Sequence, residues 1–269
     1  MIVDGNAIAK AIHEDVKKEI VGLGMVPRLT VFTCAPNFET QKYLHLKQRR
    51  AAEVGIMVTV VTLPADSTTE AVIDSINDAL PHTDGMIVQL PFPAQIDIEA
   101  VLAAVPSSHD VDALRYRGEI TDVLPPVVGA IDAIAQRHGV AFAGMSVAIV
   151  GQGRLVGIPA AAYAAASGGV VSVIEKDTPD TAAILAAADI LILGAGVPGL
   201  LTAAVIKPGA VVFDAGTTEE GGVLVGDADS AVSMVASLVT PVPGGIGPIT
   251  IAILLQNLVR LARPTRGQD

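Results

Sequence analysis

The sequence predicts an α/β fold built as two units with a cleft between them, and three observations lead there. Short apolar, β-branched runs alternate with segments of helical period, and that alternation occurs twice along the chain. Pro125-Pro126 stands between the two series and marks a linker. Within the second series, Ser146 to Pro159 (SVAIVGQGRLVGIP) reads as strand, glycine turn and helix start, the layout that sets backbone N–H groups against a pyrophosphate. Its spacing is G-x-G-x-x-x-G, one residue longer than the common dinucleotide fingerprint, so an ordinary tight turn explains it equally well.

Taken in order, Asn6 to Leu23 has apolar residues at helical spacing, closed by Gly22 and Gly24. Arg28 to Cys34 is a strand, Asn37 to Val54 a helix ended by Gly55, and Ile56 to Leu63 a second strand. Thr68 to Leu80 is a helix with Ser67 or Thr68 as cap and Glu70 close behind. Asp84 to Pro91 is a third strand, followed by a Pro-rich turn and a short helix from Asp97 to Val105. Beyond the linker, a helix over Val127 to His138 leads into strand 147–150, helix 157–166, strand 170–174, helix 180–187, and strands 189–193 and 210–213. A last apolar helix runs from Ile249 to Leu261, and the tail from Arg263 to Asp269 is expected to fray.

Composition narrows the function classes. The 269 residues are 51% hydrophobic and 17% charged, enough to bury substantial cores, and with 3% aromatics those cores must be Ala, Val, Leu and Ile. A net charge of −11 argues against nucleic-acid and anionic-membrane partners. No Asp, Glu, Lys or Arg falls between Ser230 and Val259, but Thr240-Pro-Val-Pro-Gly-Gly-Ile-Gly-Pro248 interrupts any spanning helix there. The start, MIVDGNAIAK, lacks the basic and apolar regions of a signal peptide. The lone Cys34 fits a reducing compartment, so a soluble, cytoplasmic protein is expected. The five histidines show no metal-ligand spacing, and no metal is expected.

Several constellations can carry chemistry. Tyr43 and Lys47 are i and i+4 on one helix face, so an amine stands a turn from an aromatic ring; a surface lysine packed on a tyrosine has the same pattern. Gln89 closes the run Met86-Ile-Val88, placing an amide at the carboxyl end of a strand, where open α/β sheets hold ligands. Asp110 and Asp112 flank Val111; alternate acids bind a metal weakly without further ligands, and one carboxylate can instead accept hydrogen bonds from a heterocycle. Glu175 ends the second strand of the second unit, about 22 residues after Gly153. That is the offset of the acid that meets the ribose 2′-hydroxyl of NAD, while Lys176 beside it suits a 2′-phosphate. Thr240 to Thr250 is too rich in Gly and Pro for regular structure and too apolar for an ordinary surface loop, so it admits a ligand close to backbone.

Together these pieces resemble the bifunctional methylenetetrahydrofolate dehydrogenase/methenyltetrahydrofolate cyclohydrolase family, over nearly the whole chain and in the right order. Tyr43-x-x-x-Lys47 is similar to its substrate-site pair, Val88-Gln-Leu-Pro91 to its VQLP, and Asp110-Val-Asp112 to its DVDG. Val156-Gly-x-Pro159 resembles the end of its dinucleotide loop, and Pro241-Val-Pro-Gly-Gly-Ile-Gly-Pro248 with Thr250 its PVPGGVGPMT. The resemblance implies a three-layer α/β folate-binding catalytic domain (1–125, completed by 250–269) and a Rossmann-like NAD(P)-binding domain (126–249). The last helix would return to the first domain, and the proteins would form homodimers.

It further implies catalytic roles around Lys47, which would assist proton transfer and water attack on the methenyl bridge. Tyr43 would stack on the folate, Gln89 would hold the lysine, and Asp112 would bind the pterin. Pro243, Gly244 and Gly245 would border the folate. The nicotinamide cofactor, NADP or NAD, would meet Gly151, Gln152, Gly153 and Thr217; Arg154 beside that loop, and Glu175 and Lys176 by their offset from it, are the further cofactor-site candidates. From the residues themselves, Lys42, Arg49 and Arg50 are cations that can lower the Lys47 pKa and form a basic patch in an acidic chain, which the resemblance would set against folate's anionic glutamate tail. Four departures stand out: the family's G-R-S reads Gly151-Gln152-Gly153, with Arg154 one place later; its DVDG glycine is Ala113; its PCTP is Pro125-Pro-Val-Val128; and Glu175-Lys176 replaces its His/Ser. The alternatives are a monofunctional dehydrogenase on tetrahydrofolate or tetrahydromethanopterin, and a catalytically silent nucleotide-binding regulator.

Overall fold

The computed structural model describes residues 1–119, 121 and 123–263. Of the tail from Arg263 to Asp269, expected to fray, residues 264–269 lie outside them. In chain order the elements are α1 (Gly5–Leu23), β1 (Arg28–Cys34), α2 (Phe38–Val54), β2 (Met57–Leu63), α3 (Thr69–Ala79), β3 (Gly85–Val88), α4 (Ile98–Ala104) and α5 (Pro126–His138). They continue with β4 (Ser146–Val150), α6 (Gly157–Ala166), β5 (Val170–Ile174), α7 (Thr181–Ala187), β6 (Ile190–Leu193), β7 (Val211–Asp214), β8 (Thr218–Glu220), β9 (Val223–Val225), β10 (Leu238–Val239) and α8 (Ile246–Leu261). Contacts divide the chain into two units: residues 11–115 with the chain from 251 onward, and residues 1–10 with 116–250.

In the first unit, helix boundaries follow from side-chain caps. Asn37 Oδ1 accepts the Thr40 N–H at 2.8 Å, Thr68 Oγ1 that of Ala71 at 3.2 Å, and Asp97 Oδ1 that of Ala100 at 3.1 Å. Gly55, at φ 88°, closes α2 in the left-handed conformation. The three strands pair in parallel in the order β2-β1-β3. Strand alternation gives β1 two buried faces. Leu29 and Val31 join one core with Leu44 and Ala51 of α2 and Leu254, Leu255 and Leu258 of α8. Phe32 and Cys34 join the other with Val72 and Ile76 of α3 and Val101 and Leu102 of α4. The result is three layers, helix–sheet–helix.

The second unit holds a five-stranded parallel sheet in the order β10-β7-β6-β4-β5. β6 is buried along its whole length, as a central parallel strand requires. Leu191 and Leu193 of β6, Val212 of β7 and Leu185 of α7 share one core.

Residues 1–10 cluster with the second unit because their backbone extends its sheet, and two further expectations need correction. Val3 N–H donates to Val239 O and Val239 N–H to Met1 O, each at 2.9 Å. The segment from Thr240 to Thr250 is irregular only in its first half, because α8 begins at Ile246 with Pro248 in its first turn, where a missing N–H costs nothing. Between β7 and β10, where no strand was expected, β8 and β9 form an antiparallel hairpin turned by Gly221-Gly222, both at positive φ.

Candidate active site

The first unit gathers four of the expected residues. Lys47 sits on the inner side of α2, only 5% exposed, one turn from Tyr43. Its ammonium lies 4.8 Å from the Tyr43 ring centroid, and Tyr43 is 39% exposed. Lys47 Nζ donates to Gln89 Oε1 at 2.9 Å. Gln89 follows β3 directly; its backbone N–H donates to Phe32 O at 2.8 Å and its Nε2 to Leu90 O at 3.1 Å, which fixes Oε1 toward the lysine. Main chain thus orients Gln89, and Gln89 orients the amine.

Electrostatics follow burial. Lys47's pKa is held below the ordinary lysine value by desolvation, with Asp112 pulling it back up. Asp112 mirrors this: burial pushes its carboxyl up and Lys47 opposes the shift. Asp110 is pushed up to about 6, first by burial and then by the neighbouring Asp112. The expected cause for Lys47 is therefore wrong. Arg50 Nη1 pairs with Glu53 at 2.8 Å and Arg49 with the same carboxylate at 3.9 Å, so removal from water, not a cationic neighbourhood, depresses the lysine. Lys42 is exposed on the same helix.

A buried amine that can lose its proton, beside an aromatic face, an amide and a carboxylate, can deprotonate water next to a bound heterocycle. Among the described residues no group of three His, Cys, Asp or Glu side chains could hold a metal ion.

In the second unit, Gly151 to Val156 join β4 to α6. Gly151 has φ 92°, and its N–H donates to Ile174 O at 2.9 Å, tying the turn to the end of β5. A Cβ at Gly157 would fall 1.9 Å from Gly151 O, so that glycine is demanded by the close approach of helix to loop. Gly153 is different: its nearest neighbour would be Gly194 O at 3.9 Å, so packing imposes no glycine there and the loop stays open. Gln152 Nε2 is buried with no hydrogen-bond partner among the described residues. An open cradle next to an unsatisfied donor fits the phosphates of a dinucleotide. Glu175 and Lys176 are exposed just beyond β5, Arg154 is partly exposed, and Thr217 is exposed after β7.

Pro243, Gly244 and Gly245 also belong to the second unit. Gly5 N–H donates to Gly244 O at 2.9 Å, and a Cβ on Gly5 would fall 1.8 Å from Gly245 O, so the segment is clamped against the start of α1.

Two carboxylates at the carboxyl end of this sheet were not anticipated. Asp227, fully buried, accepts N–H groups of Ala195 at 2.7 Å, Gly196 at 3.2 Å and Val197 at 2.7 Å, fixing the loop after β6. Asp214 accepts those of Gly216, Asp227 and Ala228 at 3.0, 3.2 and 2.9 Å, and burial pushes it up to about 6. A Cβ on Gly216 would fall 2.1 Å from the Asp227 carboxyl carbon, and one on Gly226 2.2 Å from Asp214 Oδ2. Paired glycines opposite paired acids are the trace left in the sequence.

Comparison with known proteins also finds two domains, divided along the sequence between residues 112 and 125. Residues 3–112 match the family model "Tetrahydrofolate dehydrogenase/cyclohydrolase, catalytic domain", and residues 125–266 match the corresponding NAD(P)-binding domain. A bifunctional protein FolD of Methanospirillum hungatei is 35% identical, with 98% of both chains covered. Among solved structures, the bifunctional FolD dehydrogenase/cyclohydrolase of Campylobacter jejuni superposes with a TM-score of 0.93 at 33% identity, covering 97% of this chain and 98% of that one. The Trypanosoma brucei methylenetetrahydrofolate dehydrogenase-cyclohydrolase, solved with NADP and an inhibitor, gives 0.91 at 33% identity and 99% coverage of each. Two matching domain models in the family's order and relatives aligned end to end assign the chain to the tetrahydrofolate dehydrogenase/cyclohydrolase family.

Proposed function

We propose that this protein oxidises 5,10-methylenetetrahydrofolate to 5,10-methenyltetrahydrofolate with NAD(P) and hydrolyses the product to 10-formyltetrahydrofolate. The observation that carries this reading is the buried Lys47, held by Gln89 and set beside Tyr43 and Asp112. A nicotinamide dinucleotide held at Gly151 to Gly153 would supply a two-electron acceptor for the hydride of the methylene bridge. Hydride transfer demands positioning more than proton chemistry, so few titratable groups suffice for it. Tyr43 stacks on the pterin-bearing substrate and Asp112 accepts its ring N–H groups. The methenyl carbon is then electrophilic; water adds to it, and Lys47 takes the proton that water releases. The adduct's hydroxyl then gives up its remaining proton to become the formyl C=O as the carbon–N5 bond breaks, and N5 takes up one proton, so one proton is released overall.

Residues 11–115 with α8 serve the folate in this reading, and residues 116–250 serve the dinucleotide, with Gly151, Gln152 and Gly153 at the pyrophosphate and Arg154, Lys176 and Thr217 around the cofactor. The protein works as a cytoplasmic homodimer. Cys34 is a free, buried thiol, as suits a reducing compartment, and β5 leaves a sheet edge with Val170 64% exposed for a second copy. The described helices include none long and apolar enough to cross a membrane.

Incubating the purified protein with 5,10-methylenetetrahydrofolate and either dinucleotide tests the reading. Folate-dependent appearance of reduced nicotinamide is expected. Dinucleotide binding without turnover would point to a silent regulator instead.

A further inference from the structure

The structure points to Glu175 as the residue that selects the dinucleotide, and we propose that this chain takes NAD in preference to NADP. The inference rests on the dehydrogenase reading above and goes beyond it by naming the cofactor. Ile174, the last paired residue of β5, gives its carbonyl to the Gly151 N–H at 2.9 Å. One carbonyl therefore separates the start of the glycine turn from Glu175, and a dinucleotide with its pyrophosphate on that turn brings its adenosine ribose to the strand end.

Glu175 is pinned there by its backbone. Its N–H donates to Thr178 Oγ1 at 2.9 Å, and its carbonyl accepts the Thr178 N–H at 3.1 Å. The side chain is exposed and has neither ion pair nor hydrogen bond among the described residues. A carboxylate so presented can accept from both vicinal hydroxyls of an unmodified ribose. A 2′-phosphate in that place brings a charge of roughly −1.5 to −2 against it. The turn itself, Glu175-Lys176-Asp177, carries two acids and one base, so its net charge also opposes a phosphate. Gln152, at the turn, is neutral. Lys176 and Arg154 are the cations able to reverse the preference, and the test includes them.

Calorimetric titration of the full-length protein with NAD and with NADP, in the absence of folate, reads the preference without relying on turnover. The wild type should bind NAD at least about tenfold more tightly, the size expected for hydrogen bonds to one charged group. Glu175→Gln should shrink that ratio about tenfold, chiefly by tightening NADP, while its melting temperature stays at the wild-type value. Lys176→Ala and Arg154→Ala should leave NAD preferred. Tighter binding of NADP by the wild type overturns the proposal and leaves the dehydrogenase reading standing. An unchanged ratio in Glu175→Gln removes Glu175 from the role. Failure of both dinucleotides to bind overturns the inference and the reading together.

Discussion

Lys47 shows how one residue's place in a fold decides its chemistry. An exposed lysine on a helix stays protonated near neutral pH; this one is buried, so the neutral amine is favoured, and Gln89 accepts its hydrogen bond in either state. Replacing Lys47 with Ala should slow methenyl hydrolysis by about 100-fold or more, the range for losing a general base. The pH dependence has a definite sign. The hydrolysis rate should rise with pH as Lys47 deprotonates and level off below the ordinary lysine pKa; a profile still climbing at that value would contradict a depressed amine. Gln89→Leu removes the acceptor and should move that plateau while leaving substrate KM nearly unchanged, which a purely structural role would not do. Residue types and spacing alone left Tyr43, Lys47, Gln89 and Asp112 open between a site and an ordinary surface; the family resemblance singled them out, and the fold brings them together. The reason for the lysine's shift was not legible in the sequence, because its burial exists only in the fold; the Glu53 pairings of Arg49 and Arg50, at i+4 and i+3 on one helix, follow from spacing.

Elements were legible where local chemistry alone determines them. Asn37, Gly55, Thr68 and Asp97 mark helix ends through caps that need nothing distant. Asn37→Ala should cost about 1 kcal/mol in denaturant unfolding. Polarity and distance hide the rest. Thr218 to Glu220 is too polar to read as a strand although its partner, Val223 to Val225, is adjacent across Gly221-Gly222. Asp227 gains its role from Ala195 to Val197, some thirty residues away in sequence. The loop from β4 to α6 is the tightest local constraint. Gly157→Ala would drive a methyl into Gly151 O and should destabilise by about 3 kcal/mol or weaken dinucleotide binding through a displaced turn. Gly153→Ala meets no such clash and should melt normally while binding dinucleotide less well, so the pair separates packing from ligand approach.

At the scale of the whole molecule, charge governs stability. Asp110 and Asp214 both titrate near 6 when folded against an ordinary 3.8, so between those values the native state holds more protons than the unfolded chain. Stability must then fall as pH rises from about 4 to 6, with no further contribution from these groups above that window. The net charge of −11 acts in the same direction, through self-repulsion that grows as carboxyls ionise. Carboxylates shifted the other way, Glu53 and Asp189, are paired near the surface and lose their contribution only at lower pH. Urea unfolding at pH 5 should therefore give a higher midpoint than at pH 7, and Asp110→Asn should flatten the difference; a midpoint that rises across this range would contradict both burial arguments.

The central claim is that Lys47, held by Gln89 and removed from water, makes this dehydrogenase also a cyclohydrolase. Following reduced nicotinamide and methenyl absorbance in the same sample, for wild type and Lys47→Ala with 5,10-methylenetetrahydrofolate, tests it most directly. The wild type should reduce the dinucleotide with methenyl intermediate appearing and then disappearing, whereas Lys47→Ala should still bind folate and let methenyl product accumulate. Loss of methenyl absorbance at an undiminished rate in Lys47→Ala would contradict the account.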